Sequence, residues 1–179
     1  MTNAPNLART MLLGTLLMAS MQASAQTPLL LLDFEFVEEM HDPRTADGDQ
    51  RRLVLVNAEL MRRMEACPAF RIGDAGPAVA EITLARSRIA YLHRCNGCAA
   101  EIGSAAHVQF VLFPWVQKVS NLILNLNAEI REAATDRVVA ARSVDIRGNT
   151  DRSWVRGAKA LSSRLCEMDG ERLSREPAR

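Results

Sequence analysis

Charge of one sign is what this chain most conspicuously lacks. Its 22 Lys and Arg stand against 21 Asp and Glu, leaving a formal net charge of +1. So even a balance gives no electrostatic footprint for nucleic acid or for an anionic membrane surface. Aromatic residues make up only 4 % of the chain, too few for the stacking platforms on which single-stranded nucleic acids lie. No apolar run approaches the roughly 20 residues that a bilayer demands. The glycine patterns of nucleotide-binding loops and the G-x-S-x-G elbow of serine hydrolases are missing, so the enzyme classes that announce themselves by such motifs have no support.

What is present begins with a compartment signal. Arg9 is the only charge before "MLLGTLLMAS", and "MQASAQ" follows, with Ala23, Ser24 and Ala25 in the small-x-small arrangement that signal peptidase cuts. A basic start, a short apolar core and a small-residue exit predict a secretory signal over residues 1–25. The expected product starts at Gln26, is formally neutral, and is exported to a bacterial periplasm with no membrane span left. No cysteine stands at the cut, which argues against a lipid anchor. Residues 26–168 are expected to form a single mixed domain. Residues 169–179, "DGERLSREPAR" with its neighbours, are expected to fray as a polar tail.

Hydrophobic periodicity predicts strands alternating with helices. "PLLLLDFEFV" is a strand, buried on both faces and then alternating, and the acidic "EEMHDPRTADGDQ" is a loop. From Arg51, residues Leu53, Val56, Leu60, Met64 and Cys67 recur at helical spacing until Pro68. "AFRIGDAG" is a short strand. Pro77 can open a second helix with Val79, Ile82, Ile89 and Leu92 inward, and "CAAEIGSAA" is a third. Then come "HVQFVLF", the period-two strand "SNLILNLNAEI", and its hairpin partner "VVAARSVDI". Asn149, Thr150 or Asp151 can cap a last helix with the stripe Trp154, Ala158, Leu161 and Leu165. The fold class is therefore α/β or α+β: a mixed sheet of about five strands, in two or three layers, in the order β-α-β-α-α-β-β-β-α. It ends in an antiparallel hairpin and a closing helix.

Four cysteines, Cys67, Cys95, Cys98 and Cys166, in an exported chain read as disulfides. Cys95 and Cys98 flank the turn dipeptide Asn96-Gly97 and form the first candidate bridge. Cys67 with Cys166 is a second candidate, since spacing does not fix connectivity. A redox-active Cys95–Cys98 pair is the alternative, because a thiol in a first helical turn is activated by unpaired N–H groups. A thioredoxin-like pair, however, should follow a strand and open a long helix. Ala99 excludes the C-x-x-C-H of c-type haem, and zinc would need a second ligand pair. Glu38, Glu39, His41, Asp42, Asp47 and Asp49 do not match a calcium loop. His93 and His107 form no triad. Neither metal nor cofactor is expected.

Polar density gathers at two places, "WVQKVSN" and "DIRGNTDRSW". Part of the second is structural, with Gly148 turning the chain and Trp154 anchoring the helix. The remainder lies on outward hairpin positions: Gln117, Lys118, Asn121, Asn125 and Asn127, edged by Arg147, Asn149, Asp151 and Arg156. Asn125, Asn127 and Glu129 are expected beside Ser143, Asp145 and Arg147. Amides and arginine offer directional hydrogen bonds where plain solubility would use lysine, glutamate and threonine. The face suits another periplasmic or envelope protein, or a glycan.

The motifs "CNGC", "WVQKVSNLILNLNAEI" and "DIRGNTDRSWVRG" together resemble a family of secreted bacterial proteins of unknown function. The resemblance covers most of the exported chain and implies export but no catalytic residue. The order of elements is also similar to that of the amino-terminal domain of TolB, a likeness of fold that carries no function. The expectation is an exported, non-enzymatic binding or assembly-accessory protein. A periplasmic thiol-disulfide oxidoreductase using Cys95 and Cys98 is the rival, and a purely structural envelope component the third reading.

Overall fold

A computed structural model of the chain describes residues 26–39, 41–168 and Leu173. The expected signal segment 1–25 and, Leu173 apart, the expected tail 169–179 lie outside the described residues. Leu173 itself is buried against the core. The elements are β1 (Thr27–Leu31), β2 (Glu35–Glu38), α1 (Ala46–Glu65), β3 (Phe70–Ile72), α2 (Val79–Arg88), α3 (Cys98–Ala105), β4 (Phe110–Lys118), β5 (Ile123–Glu132), β6 (Val138–Arg147) and α4 (Asp151–Cys166). They build a mixed six-stranded sheet in the order β3-β1-β4-β5-β6, with β2 also pairing with β4. The α+β class, the carboxy-terminal hairpin and the closing helix follow the sequence pattern.

The expected first strand is split in two. β1 runs parallel to the first half of β4 and β2 to its second half. Even-numbered backbone groups of β4 face this edge: Leu32 N–H donates to Leu112 O (3.2 Å) and Glu39 N–H to Lys118 O (3.1 Å). Pro114 therefore turns its missing N–H toward the break between β1 and β2, where a central strand tolerates proline. β4 is also longer than expected. Gln117 and Lys118 lie within it, paired to both β2 and β5.

Helices cover both sides of the sheet. The chain crosses from β2 out to β3 through α1, then back past β1 to β4 through α2 and α3. Two crossovers of one hand in opposite directions must lie on opposite faces. One core accordingly joins Leu29, Leu31, Leu112, Val116, Leu126 and Ile130 to α1 and α4. The other joins Leu30, Leu32, Val111 and Phe113 to α2 and α3. α1 buries the expected Leu53, Val56, Leu60 and Met64, but begins earlier, at Ala46, and buries Asp49 with them. The last five residues of the expected acidic loop, Ala46 to Gln50, are thus helix. Of the residues expected inward around α2, Leu92 is buried and Ile82 and Ile89 pack against the same core, although the helix ends at Arg88; Val79 is exposed, and Ala85 is buried instead.

α4 is the best-specified helix. Gly148 turns with φ +81°, a conformation that costs glycine little. Thr150 and Ser153 then form a reciprocal capping box. Trp154, Ala158, Leu161 and Leu165 are all fully buried. At Gly157 the helix nears the sheet so closely that an added Cβ would meet Ile146 Cγ2 at 2.6 Å. Cys67, just past α1, and Cys166, the last residue of α4, form a disulfide with Cα atoms 5.8 Å apart. α1 and α4 therefore lie parallel with both amino termini at one end, where Asp49, Asp47 and Asp151 meet the positive ends of their dipoles.

Candidate functional site

The α2–α3 layer reaches only part of its face of the sheet. The rest of that face has no helix over it, and alternation places on it the exposed Asp145 and Arg147, the half-buried Trp115, Gln117 and Asn125, and the buried Asn127. Across the strands Trp115 stands opposite Asn127, Gln117 opposite Asn125, Asn125 opposite Asp145, and Asn127 opposite Ser143. Gln117 Nε2 donates to Glu39 Oε1 (2.6 Å), Asn125 Nδ2 to Asp145 Oδ1, and Asn127 Nδ2 to the Asn125 carbonyl (3.4 Å). The register expected at the two ends differs. Glu129 faces Ala141 and Arg147 faces Ile123, which is 51 % exposed. Glu129 is instead engaged by Arg131 Nη2 at 2.7 Å.

Trp115 is half-buried, and its ring stacks on His93, centroids 4.4 Å apart and planes 7° from parallel. Glu35, on the neighbouring β2, places Oε2 2.6 Å from His93 Nδ1 and accepts the backbone N–H groups of Leu92 and His93. Burial alone would raise the Glu35 carboxyl, but these bonds outweigh it and hold its pKa below the ordinary value. This aromatic and acidic border had no signal in the motifs, since Glu35 and His93 lie 58 positions apart.

The other residues of the expected face belong elsewhere. Lys118 points to the α1–α4 side and is 2 % exposed. Its Nζ donates to Asp49 Oδ2 (2.6 Å), Glu38 Oε1 (2.8 Å) and Thr45 Oγ1 (2.8 Å). Asp49 also accepts from Arg52 Nη1 (3.0 Å) and Asn149 Nδ2 (2.6 Å). Asn149 in turn accepts from Trp154 Nε1 at 2.8 Å, and Arg52 Nε donates to Asp151 at 2.9 Å. Burial opposes ionisation of Asp49 and Lys118. The bonds between them prevail, so the carboxyl sits below and the ammonium above its ordinary pKa. Lys118, Asn149 and Asp151 are therefore parts of a clamp joining β2, β4, α1 and α4. Asn121 is exposed on the β4–β5 turn and Arg156 on α4.

The remaining acids are occupied in similar ways. Asp42 pairs with Arg44 at 2.9 Å, and Glu38 is shared between Lys118 and His41. Among the described residues no group of three or more His, Cys, Asp and Glu is placed to hold a metal ion.

Cys95 and Cys98 are bonded to each other, Cα atoms 5.7 Å apart, and Cys98 opens α3. The N–H groups that could activate a thiolate there are already taken. Asp136 accepts from Gly97 N (2.6 Å) and Ala99 N (2.8 Å). Arg131 fixes the other side of the turn by donating Nη1 to the Cys95 carbonyl (2.6 Å) and Nη2 to that of His93. A carboxylate at this position disfavours a second negative charge on the adjoining sulfur.

Among solved structures, the chain is similar to the hypothetical protein CT253 from Chlamydia trachomatis, with 9 % identity and a TM-score of 0.51 over 79 % of this chain and 96 % of that one. It is also similar to TolB from Acinetobacter baumannii (9 % identity, TM-score 0.44, 83 % of this chain and 30 % of that). Lipoprotein GNA1162 from Neisseria meningitidis shares 12 % identity and a TM-score of 0.44 over 79 % of this chain and 99 % of that one. At such identities likeness concerns the fold alone. No curated protein sequence matches the chain significantly. The family model DUF3280, described as "Protein of unknown function (DUF2380)", matches residues 27–165, and the chain belongs to that family.

Proposed function

We propose that this chain is an exported, periplasmic, non-enzymatic binding or assembly-accessory protein of the bacterial envelope. Its contact surface is the sheet face free of helix, where Gln117, Asn125 and Arg147 reach solvent and Asn127 lies buried in the floor. The observation that carries this reading is a helix-free sheet face on the paired strands β4, β5 and β6 that bears the amides of Gln117 and Asn125 beside the exposed Arg147. Such a platform holds its hydrogen-bonding groups at fixed spacing, which lowers the entropy lost when a partner docks. Export is supported by the two bonded cysteine pairs, which persist in an oxidising compartment. The partner is another envelope protein. A glycan is the second reading, favoured specifically by the half-exposed Trp115 indole beside Asn127, an apolar plate next to an amide. The thiol-oxidoreductase reading is weakened by Asp136, which occupies the N–H groups that an active thiolate would use.

Arg147→Ala with Asn125→Ala tests the assignment. Both side chains lie on the open face, so the double variant should keep the melting temperature within a degree or two. It should weaken retention of the native envelope partner by about tenfold or more. Normal retention, or an unfolded variant, would show that the face is structural. An insulin-reductase activity, lost on replacing both Cys95 and Cys98 by serine, would instead support the oxidoreductase.

A further inference from the structure

We propose that a second binding site, on the opposite side of the β4–β5 hairpin tip from the open sheet face, takes an acidic segment of a partner protein. A cleft of about 570 Å³ lies between the first turns of α1 and the turns that precede β5 and α4. Arg44, Arg51, Arg52, Asn121, Leu122 and Asn149 form its walls. A neighbouring hollow of about 390 Å³ shares Arg44 and Asn121 with it.

The walls divide into fixed and available groups. Asn149 is locked between Trp154 and Asp49, and Arg52 between Asp49 and Asp151. These residues hold the shape and have little capacity left. Arg51 is exposed and, among the described residues, enters no ion pair. Among the described residues Arg44 pairs with Asp42 alone, and its side chain is 86 % exposed. Asp42 takes Nε and Nη2 of that guanidinium, and Nη1 is left to meet a further carboxylate. Asp47 is the one acid lining the cleft, against Arg44 and Arg51, and Asp42 lines the neighbouring hollow.

Leu122 gives the ligand its second feature. It is 72 % exposed, although its backbone is held on both sides. Its N–H donates to Ser120 Oγ (3.2 Å), and its carbonyl accepts from Gly148 N (3.1 Å). The turn has no need of a leucine, and the side chain stands in water next to the arginine rim. An apolar anchor between arginines is the composition of a protein-interface centre. A free anion would leave Leu122 unused, and a neutral sugar would leave Arg51 unused. A peptide segment carrying carboxylates around an apolar side chain uses both. Leu122 lines this cleft, while Ile123 stands opposite Arg147 at the edge of the open sheet face, so the two sites can be occupied separately.

The test uses the full exported chain and a fluorescein-labelled 12-residue peptide of alternating glutamate and leucine, with a lysine–leucine peptide as control. The acidic peptide should bind more weakly as salt rises, and its Kd should increase about tenfold in Arg51→Glu and again in Leu122→Ser. Both substitutions are on exposed side chains and should leave the melting temperature unchanged. Arg147→Ala with Asn125→Ala should bind the acidic peptide normally, whatever that variant does to the native partner. Equal binding of both peptides, or equal affinity in wild type and Arg51→Glu, would overturn the proposal. Loss of binding only in the sheet-face variant would also overturn it, by moving the acidic segment to the other surface.

Discussion

Replacing Lys118 by methionine removes the charge at the centre of the clamp while keeping a stem of similar length. The ammonium has three acceptors, of which Asp49 is fully buried. Breaking a buried pair by deleting one partner costs about 3–5 kcal/mol, because the survivor is left desolvated. The lower end applies here. Asp49 retains Arg52, Asn149 and Thr45 as donors, and Glu38 retains His41. A loss of about 3 kcal/mol corresponds to a fall in melting temperature of roughly 6–12 °C for a domain of this size. Urea unfolding followed by tryptophan fluorescence at neutral pH gives the number directly, since Trp154 belongs to the same network. Combining the change with Asp49→Asn should give an interaction energy of about 1–2 kcal/mol. The pH dependence follows from the shifts. The depressed carboxyls of Asp49 and Glu38 stabilise the fold above their unfolded values near pH 4, and that contribution is lost as pH falls through the folded values. The raised ammonium contributes below about pH 10 and is lost as pH rises through its folded value. The advantage of wild type over Lys118→Met should therefore be flat between roughly pH 5 and pH 9 and shrink outside it. A cost under about 1 kcal/mol, or strict additivity with Asp49→Asn, would mean that the clamp is not coupled as described.

The two disulfides should differ sharply in weight. The Cys67–Cys166 bridge closes a separation of 99 residues, so its serine variant should lose about 4–5 kcal/mol in denaturant titrations, against about 2 kcal/mol for Cys95 and Cys98. Equal losses would refute the loop-entropy account. Gly157→Ala should cost about 1–3 kcal/mol by driving a methyl group into Ile146 and Leu126; a stabilised variant would show that α4 can back away from the sheet. Trp154→Ala should cost about 3–5 kcal/mol and release Asn149 from its only indole donor, which thermal unfolding will register. Mass spectrometry of the exported protein should find an amino terminus at Gln26; full-length chain held in the inner membrane would make residues 1–25 an anchor.

Local pattern carried much of the fold. The stripes of α1 and α4, the alternation of β5, and the cap before Trp154 each follow from periods and residue types that act within a few positions. The break between β1 and β2 was hidden, because its cause is Pro114, which lies in another strand. The clamp was hidden for a different reason. Lysine and aspartate default to solvent, so pattern alone puts Lys118 on the surface and Asp49 in a loop. Both positions nevertheless continue an apolar phase: Asp49 lies one turn before Leu53 on the α1 stripe, and Lys118 follows Leu112 and Val116 on the inward side of β4. Two opposite charges, each where its own element calls for a hydrophobe, are a legible sign of a buried pair. The partnership of Glu35, His93 and Trp115 had no comparable sign, since no periodicity links a strand residue to a distant turn.

The density of polar groups from Asp145 to Trp154 can now be divided by subtraction. Asp145 answers Asn125 across the strands, Gly148 makes the turn, and Asn149 bridges Trp154 to Asp49. Thr150 and Ser153 close the helix end, and Asp151 holds Arg52. Each of these bonds lies within the domain, so conserving the fold accounts for the side chains that make them. Arg147 and Arg152 are left exposed without an ion pair among the described residues, and Arg156, one turn further along α4, is exposed in the same way. Solubility alone does not require guanidinium at these positions, because lysine would serve it equally. A planar fork of donors is favoured where a carboxylate or amide must be held in a fixed orientation. Asn149, in the turn between β6 and α4, ties that turn to Asp49 and Trp154, so Arg147 on the strand and Arg152 and Arg156 on the helix are held on either side of a fixed corner.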